Sequence, residues 1–320
     1  MFSFLRRHLS LAADSCLGVM GATLSAVLFG LNPLLVHILR SGGMSLALVQ
    51  LFRFGGGALC YLIIIAAQKK SIFLSLNRKI LMKAFFLSIW SSATAWMLTL
   101  SYSFIPSGFA TVLHFSYPLI VTAISVMARR CRFRIVLVAA WVTAFIGIAL
   151  VSSSFAIDLH PAGIVVALLS AVTFSLYVFF LNDESLTCVD NTVLMFFVFL
   201  INALFSFLSL LSLLLIHGSE IVFGTYHSWV FPSGILLSLV SVVGYLLFSY
   251  GNRRIGGPVA SILSSMEPLT AMIIGIIFLN ESIPKLFVLG SALIIISSIM
   301  LSFSQLKHFR ERKYIYYSSQ

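Results

Sequence analysis

The stretch that decides the fold is residues 84–128, with the sequence AFFLSIWSSATAWMLTLSYSFIPSGFATVLHFSYPLIVTAISVMA. It contains no Asp, Glu, Lys or Arg, and a short polar turn at 101–106 divides it into two apolar halves. A helix needs about 20 apolar residues to cross about 30 Å of hydrocarbon. We therefore predict two membrane-spanning helices joined by that turn.

Eight further apolar stretches surround this pair. The ten predicted spans are residues 17–39, 44–67, 84–100, 107–128, 135–153, 162–181, 193–216, 229–251, 257–279 and 286–303. The chain is 60% hydrophobic and only 9% charged, which excludes a disordered chain and an ordinary soluble domain. Its four cysteines show no CxxC spacing, which argues against a disulfide scaffold or a zinc site. The expected fold class is an all-α membrane protein.

The distribution of basic residues sets the orientation. The net charge of +11 would indicate nucleic acid in a soluble protein, but here the bases crowd into loops and tails, so no nucleic-acid partner is expected. A cytoplasmic N-terminus places 17 of the 20 Lys and Arg on the inner side, the exceptions being Arg40, Lys285 and the intramembrane Arg53. Both termini are therefore predicted to be cytoplasmic. The short loops favour a bacterial inner membrane, with a eukaryotic organelle membrane as the alternative.

An internal repeat divides the chain in two. A shift of 150 residues aligns 84–132 with 234–282 and gives nine identities in 49 ungapped positions, including the prolines at 118 and 268. The predicted units are an N-terminal segment 1–16, a first repeat 17–156, a second repeat 157–306 and a basic tail 307–320. Each repeat has five helices, an odd number, so the second copy enters the membrane from the opposite side. Two inverted five-helix repeats are a recurring plan among secondary transporters.

Several short motifs then resemble a known family. They are Phe29-Gly30, Arg53-Phe54, Pro118, and Glu267-Pro268 followed by Asn280-Glu281. Their order and spacing resemble the EamA-type transporters of the drug/metabolite transporter superfamily over roughly residues 17–306. The resemblance implies a ten-helix basket whose central cavity is lined mainly by helices 1, 3, 4, 6, 8 and 9, and a small metabolite, amino acid or drug as substrate. Cys131 stands where the second repeat has Glu281, which departs from the family pattern.

Two ionisable residues lie deep in predicted spans, Arg53 in helix 2 and Glu267 in helix 9. Charges at such depth cost roughly 2.5 to 3.5 kcal/mol each on insertion scales, so they are expected to face a cavity or each other. A substrate or proton site is one interpretation. The alternatives are a structural hydrogen bond beside the Pro268 kink for Glu267, and helix bracing or snorkelling for Arg53.

Polar and aromatic side chains at matching depths complete the candidate substrate site. The 150-residue shift relates His114 and Tyr117 of helix 4 to Ser264 and Glu267 of helix 9. The other candidates are Asn32, Tyr177, Tyr245, Trp90, Trp96 and Arg53. Polar contacts between helices are the alternative for the hydroxyl groups, and ordinary core or lipid-facing positions for the aromatic rings.

The predicted function is transport of a small organic metabolite by alternating access, with an amino acid, a related zwitterion or an amphipathic cation as favoured cargo. Membrane lipid and a coupled proton or exchange substrate are the expected partners, and no cofactor, metal or catalytic residue is predicted. The alternatives are a channel and a membrane-embedded transferase. A transferase would have to use the acidic residues Asp183, Glu184 and Asp190, which lack a metal-binding pattern.

Overall fold

Each predicted span contains helix in the residues that the structure describes. The computed structural model describes residues 2–70, 78–128, 135–153, 160–181, 183–187, 189–217, 226–255, 260, 263–264, 266–280, 284–297 and 299–300. Over these residues the chain is all-helical. Most of the start of the ninth predicted span lies outside the described residues, as do the end of the tenth from residue 301, Cys131, Glu281 and the basic tail 307–320.

Ten apolar helices follow one another along the described chain. Their bounds are α1 Phe2–Gly30 with Asn32–Ser41, α2 Leu46–Ala67, α3 Arg78–Ser101, α4 Ser107–Met127, α5 Ile135–Ser153, α6 Pro161–Leu181, α7 Asn191–His217, α8 Val230–Ile255, α9 Met266–Leu279 and α10 Lys285–Ser297. Seven of them, all except α5, α9 and α10, are long and apolar enough to cross a membrane. Exposed apolar side chains such as Ile63, Phe145 and Leu215 suit the surface to lipid rather than water.

Three of the helices are interrupted near their middles. α1 bends at Leu31, just before Pro33, which has no N–H to donate. α2 contains a π-helical turn at Phe52–Gly56. α4 is broken between His114 and Tyr117, ahead of Pro118. Such breaks release backbone groups and are tolerated in a membrane only where other protein groups or a cavity surround them.

The helices of one half pack mainly on helices of the other half. α8 lies along α1, and α3 lies along α6; α1 also contacts α9, while α6 contacts α4. α7 packs on α3, and α2 packs on α8. α2 also contacts α7, and α4 contacts α9. Exchanging helices 1–5 with helices 6–10 therefore converts each of these pairings into another of them or leaves it unchanged.

Glycines allow two of these crossings to be close. A Cβ placed on Gly18 of α1 would lie 2.7 Å from Ile255 Cγ2 and 3.1 Å from Arg254 Cβ. Small residues at helix crossings let backbones approach, which is the main source of packing energy between helices in lipid. A Cβ placed on Gly163 of α6 would likewise lie 2.8 Å from Ile105 Cγ2. Ile105 and Ile255 are separated by 150 positions, whereas Gly18 and Gly163 are separated by 145.

Ion pairs gather at one end of the bundle, here named the charged end. Lys70 after α2 pairs with Asp190 before α7 at 2.7 Å, and Lys83 of α3 pairs with Asp183 after α6 at 2.8 Å. Arg253, near the end of α8, donates to the Val189 carbonyl at 3.1 Å. These are the only two ion pairs within the part of the chain that the structure describes. The termini of five helices are therefore held together at this end.

Hydrogen bonds keep the acidic groups of the charged end ionised. Burial raises the pKa of the Asp183 carboxyl, but hydrogen bonds from Lys83 and Ser185 outweigh it and lower the pKa from 3.8 to about 2. Burial also raises the pKa of Asp190, but Lys70 and the Thr192 amide lower it below its ordinary value. Both carboxylates are consequently charged at neutral pH.

Candidate functional site

A polar cavity lies inside the bundle, where α1, α2, α3, α4, α6, α8 and α9 meet. The empty space between its lining atoms is about 530 Å³ when the open mouth is included, and the part that admits a water-sized group is far smaller. Its lining residues are Phe29, Asn32, Val36, Arg53, Thr94, Ala95, Leu98, Thr99, Tyr102, His114, Phe174, Tyr245 and Glu267. This central cavity contains five of the ten residues that the sequence proposed for the site.

Glu267 stands in the first turn of α9, next to Pro268, and only 9% of its surface is exposed. Its side chain forms no hydrogen bond to any described residue and takes part in neither ion pair. Arg53 is the cation that interacts with it electrostatically. A carboxyl group that is buried without a partner is costly. Glu267 therefore has unused capacity to bind a cation, a hydrogen-bond donor or a proton.

Arg53 enters the cavity from the π-helical turn of α2. Its Nε donates to Ser241 Oγ of α8 at 3.0 Å, and its guanidinium lies 5.3 Å from the centre of the Phe54 ring. The turn itself is fixed by α8, because Ser238 Oγ donates to the Phe52 carbonyl at 2.5 Å. One Nε–H is used by the protein, and the other N–H groups of the fork are suited to an anion such as a carboxylate.

His114 is held at the break in α4 by α6. Ser170 Oγ donates its single proton to the Ala167 carbonyl at 2.6 Å and is 2.9 Å from His114 Nδ1. The hydrogen-bond network therefore assigns the proton of a neutral imidazole to Nδ1, with Ser170 as acceptor. Nε2 is left as an acceptor on a ring that lines the central cavity.

Asn32 begins the second part of α1, directly after the bend at Leu31. Its side chain is only 7% exposed and lines the central cavity, yet its amide has no hydrogen-bond partner among the residues described. The bend places this amide beside α9, because Gly30 packs directly against Glu267 and Thr270. Asn32 and Glu267 thus approach the cavity from two touching helices.

Aromatic rings close the central cavity on the side of the charged end. Phe174 stacks on Tyr177 with centroids 5.6 Å apart, and Tyr177 meets Tyr245 at 6.2 Å. Tyr245 also contacts Phe29 and Phe199 at 5.2 and 5.1 Å. We name these five residues the aromatic cluster. Tyr177 belongs to it without lining the central cavity.

Tyr117 and Ser264 lie behind the cavity wall, where α4 meets α9. Tyr117 packs against His114 and Phe174, with ring centroids 5.8 and 4.6 Å apart. Its hydroxyl lies near the side chain of Ser264, whose own hydroxyl donates to the Ala260 carbonyl at 2.9 Å. Both residues are buried, and they support the wall rather than line it.

The two tryptophans of α3 lie away from the central cavity. Trp90 packs on the main apolar core, and Trp96 packs beside the apolar cluster formed by α1, α2 and α8. Neither ring is among those that line the cavity. The α3 face that does line it bears Thr94, Leu98 and Thr99.

Sequence reasoning missed several residues that line the cavity, among them Thr94 and Phe174. The Thr94 side chain contacts α6, where its hydroxyl lies 2.9 Å from Thr173 Oγ1. The repeat gave no signal for it, because the aligned position is Gly244. Phe174 lies one helical turn before Tyr177, so the same face of α6 could have identified it. No three His, Cys, Asp or Glu groups come close enough to hold a metal over the described parts of the chain.

Comparison with known proteins gives one family. Residues 161–303 match the model of the EamA-like transporter family. A solved structure described only as "Crystal structure of protein" is similar to this chain with a TM-score of 0.64, at 14% identity, over 91% of this chain and 98% of that one. None of the curated proteins matches. At that identity the solved structure shows a shared fold, and it is residues 161–303 of this chain that match the EamA-like transporter family.

Proposed function

We propose that this protein is a secondary transporter that moves a small organic metabolite across the membrane by alternating access through the central cavity. The observation that carries the proposal is that Arg53 and Glu267 line one buried cavity without forming an ion pair with each other. Ionisable groups inside a membrane are expensive and are kept where they bind a substrate, an ion or a proton. The family match supports transport rather than catalysis.

The pair of opposite charges supports a zwitterionic substrate. The free N–H groups of Arg53 suit a carboxylate, and the unpartnered Glu267 suits an ammonium group. The aromatic rings of Phe29, Phe174 and Tyr245 add an apolar wall for a side chain. We therefore favour an amino acid or a related zwitterion as cargo, with an amphipathic cation as the second class.

Two inverted repeats supply the alternating access in this proposal. The main helix pairings between the halves are kept when the two halves are exchanged, and a glycine of the first helix of each half, Gly18 or Gly163, lies close to Ile255 or Ile105 respectively. Five helices in each half make the exchange an inversion across the membrane. Inverted repeats let a carrier reach its second state by swapping the conformations of the two halves.

The position of the cavity supports one particular state. On α3 and the turn that follows it, the lining residues run from Thr94 to Tyr102, a rise of about 12 Å. They lie on the part of α3 that is farther from Lys83 and the charged end. The aromatic cluster forms the cavity wall on the side of the charged end, and the ion pairs lie beyond that wall. We propose that the site is reached here from the end opposite the charged end, and that the charged end faces the cytoplasm of a bacterial inner membrane.

Counterflow tests the function. Purified protein in liposomes is loaded with a pool of unlabelled amino acids and amines, and the uptake of labelled members is measured. A carrier gives saturable uptake that is stimulated by the internal pool, and empty liposomes give none. Ion conductance without saturation would replace the carrier with a channel. Covalent modification of added lipid or substrate would replace it with an enzyme.

Labelling of single cysteines tests the orientation. Cysteines introduced at Ser185 and His227 stand at opposite ends of the bundle, near the charged end and before α8 respectively. An impermeant thiol reagent applied to intact cells should label the His227 position only. Labelling of the Ser185 position alone would invert the proposed orientation.

A further inference from the structure

We infer that the site recognises the N–H groups of a primary or secondary ammonium and rejects the quaternary analogue, with Asn32 and His114 as the specificity-determining residues beside Glu267. This inference rests on the proposed transport function. It concerns the type of ammonium group that the site accepts. Neither the charge of Glu267 nor the family match decides that type.

Three residues that line the central cavity, Asn32, His114 and Glu267, carry acceptor groups without protein donors. The Glu267 carboxyl and the Asn32 amide form no side-chain hydrogen bond within the described ranges. Nε2 of His114 is an acceptor, because Nδ1 carries the proton that goes to Ser170. An ammonium group with two or three N–H donors would satisfy several of these groups at once.

The helix packing fixes two of the acceptors relative to each other. A Cβ placed on Gly30 would lie 2.9 Å from the Glu267 carbonyl oxygen and 2.5 Å from Thr270 Cβ. Asn32 is two residues beyond Gly30, so its amide and the Glu267 side chain are carried by backbones in direct contact. An acceptor set on rigid, touching elements discriminates more sharply than one on mobile loops.

The unpartnered Asn32 amide is the strongest of these observations. Rotation about its terminal side-chain torsion exchanges oxygen and nitrogen, so the amide can turn its oxygen to a donor in the cavity. With an apolar or quaternary group in that position, the buried oxygen stays without a partner. A site built to hydrogen-bond an N–H group rejects an analogue lacking it by factors that reach roughly 10⁴.

An aromatic surface in the same cavity favours the opposite result. Phe29, Phe174 and Tyr245 present ring faces and edges, and such rings bind quaternary ammonium groups through cation–π attraction. The rings, however, lie in the wall toward the charged end, and three acceptors would be left unsatisfied by a trimethylated nitrogen. The acceptors therefore decide the preference.

Matched amines test the inference directly. Phenylalanine, leucine, glycine and phenethylamine, each with its N,N,N-trimethyl analogue, are used as competitors of counterflow and as ligands in thermal-shift assays. We expect at least one amine to bind, and each binding amine to exceed its trimethyl analogue by 100-fold or more. Equal or tighter binding of the trimethyl analogue overturns the inference. Absence of binding by every amine tested also overturns the inference. Counterflow of another metabolite would in that case still support the transport function.

Variants locate the preference. Asn32→Leu removes the amide and should reduce the preference at least 10-fold, mainly by weakening the primary amine. Ser116→Ala is the matched control, because Ser116 also bears a buried polar group with no partner but does not line the cavity. An unchanged preference in a folded Asn32→Leu protein contradicts the role of Asn32. The wild-type comparison needs no variant, so it decides the inference even if Asn32→Leu fails to fold.

Discussion

Substitution of Gly30 by alanine tests whether the crossing of α1 and α9 sets the geometry of the site. The added methyl carbon would lie 2.5 Å from Thr270 Cβ and 2.9 Å from the Glu267 carbonyl oxygen. Ordinary contacts between such atoms are about 3.5–4.0 Å. The two helices must therefore separate by about 1 Å or more, because the obstacle includes backbone and not only a flexible side chain.

The separation should harm binding more than folding. Overpacking of a well-packed interior costs about 1–3 kcal/mol, which many proteins survive. The displaced contact, however, includes the backbone of Glu267 itself and lies two residues from Asn32. A shift of about 1 Å lengthens hydrogen bonds beyond their useful range of about 2.7–3.2 Å. We expect Gly30→Ala to fold, with a modestly lowered thermal midpoint, and to lose at least 10-fold in substrate affinity.

Gly55→Ala is the matched control in the same membrane region. A Cβ at Gly55 meets Leu51 Cδ1 at 3.4 Å, an ordinary contact with a flexible side chain. Both variants are reconstituted at equal protein and compared by thermal unfolding and by the concentration dependence of counterflow. Wild-type affinity and stability in Gly30→Ala would refute the reasoning, because the crossing could not then be as close as described.

Three other outcomes follow from particular contacts. Asp183 has a pKa of about 2 in the folded protein against 3.8 ordinarily. Its ion pair with Lys83 therefore stabilises the charged end above about pH 4, and this stabilisation is lost as pH falls through about 2. Lys83→Met should reduce the fall in thermal stability over that pH range, measured by thermal unfolding. Arg53→Met, which also loses the bond to Ser241, should weaken carboxylate-bearing substrates at least 10-fold and spare matched amines in competition assays. Tyr61→Phe removes a buried hydrogen bond of 3.0 Å to a carbonyl of α8, and should lower the unfolding free energy by about 0.5–1.5 kcal/mol without changing substrate preference.

Much of the fold could be predicted because lipid imposes few solutions. A run without charge such as 84–128 must form helix, since every backbone group has to be satisfied within its own segment. The helix positions follow from hydropathy for that reason. The prolines at 33 and 118 indicate breaks near Leu31 and His114, because a proline cannot continue the helical hydrogen bonding. The π-helical turn at Phe52–Gly56 contains no proline, and it depends on α8 packing against it.

The site was predictable only where burial itself carries a cost. Arg53 and Glu267 stand out in a sequence of this hydropathy, because placing a charge in hydrocarbon costs free energy that a binding or pairing role must offset. Trp90 and Phe174 do not stand out, since aromatic residues suit lipid, core and cavity alike. Which of them lines the cavity depends on the rotation of α3 and α6 about their axes, and that rotation is set by contacts such as Thr94 with Thr173.

The most direct test of the account compares wild type with Glu267→Gln in liposomes at equal protein. The substitution keeps the shape of the side chain and its ability to accept a hydrogen bond, but it removes the charge and the titration. We predict that the variant inserts and unfolds like the wild type, loses substrate accumulation driven by a proton gradient, and binds amines at least 10-fold more weakly. Uptake, affinity and pH dependence equal to those of the wild type would contradict the claim that substrate is carried at Glu267.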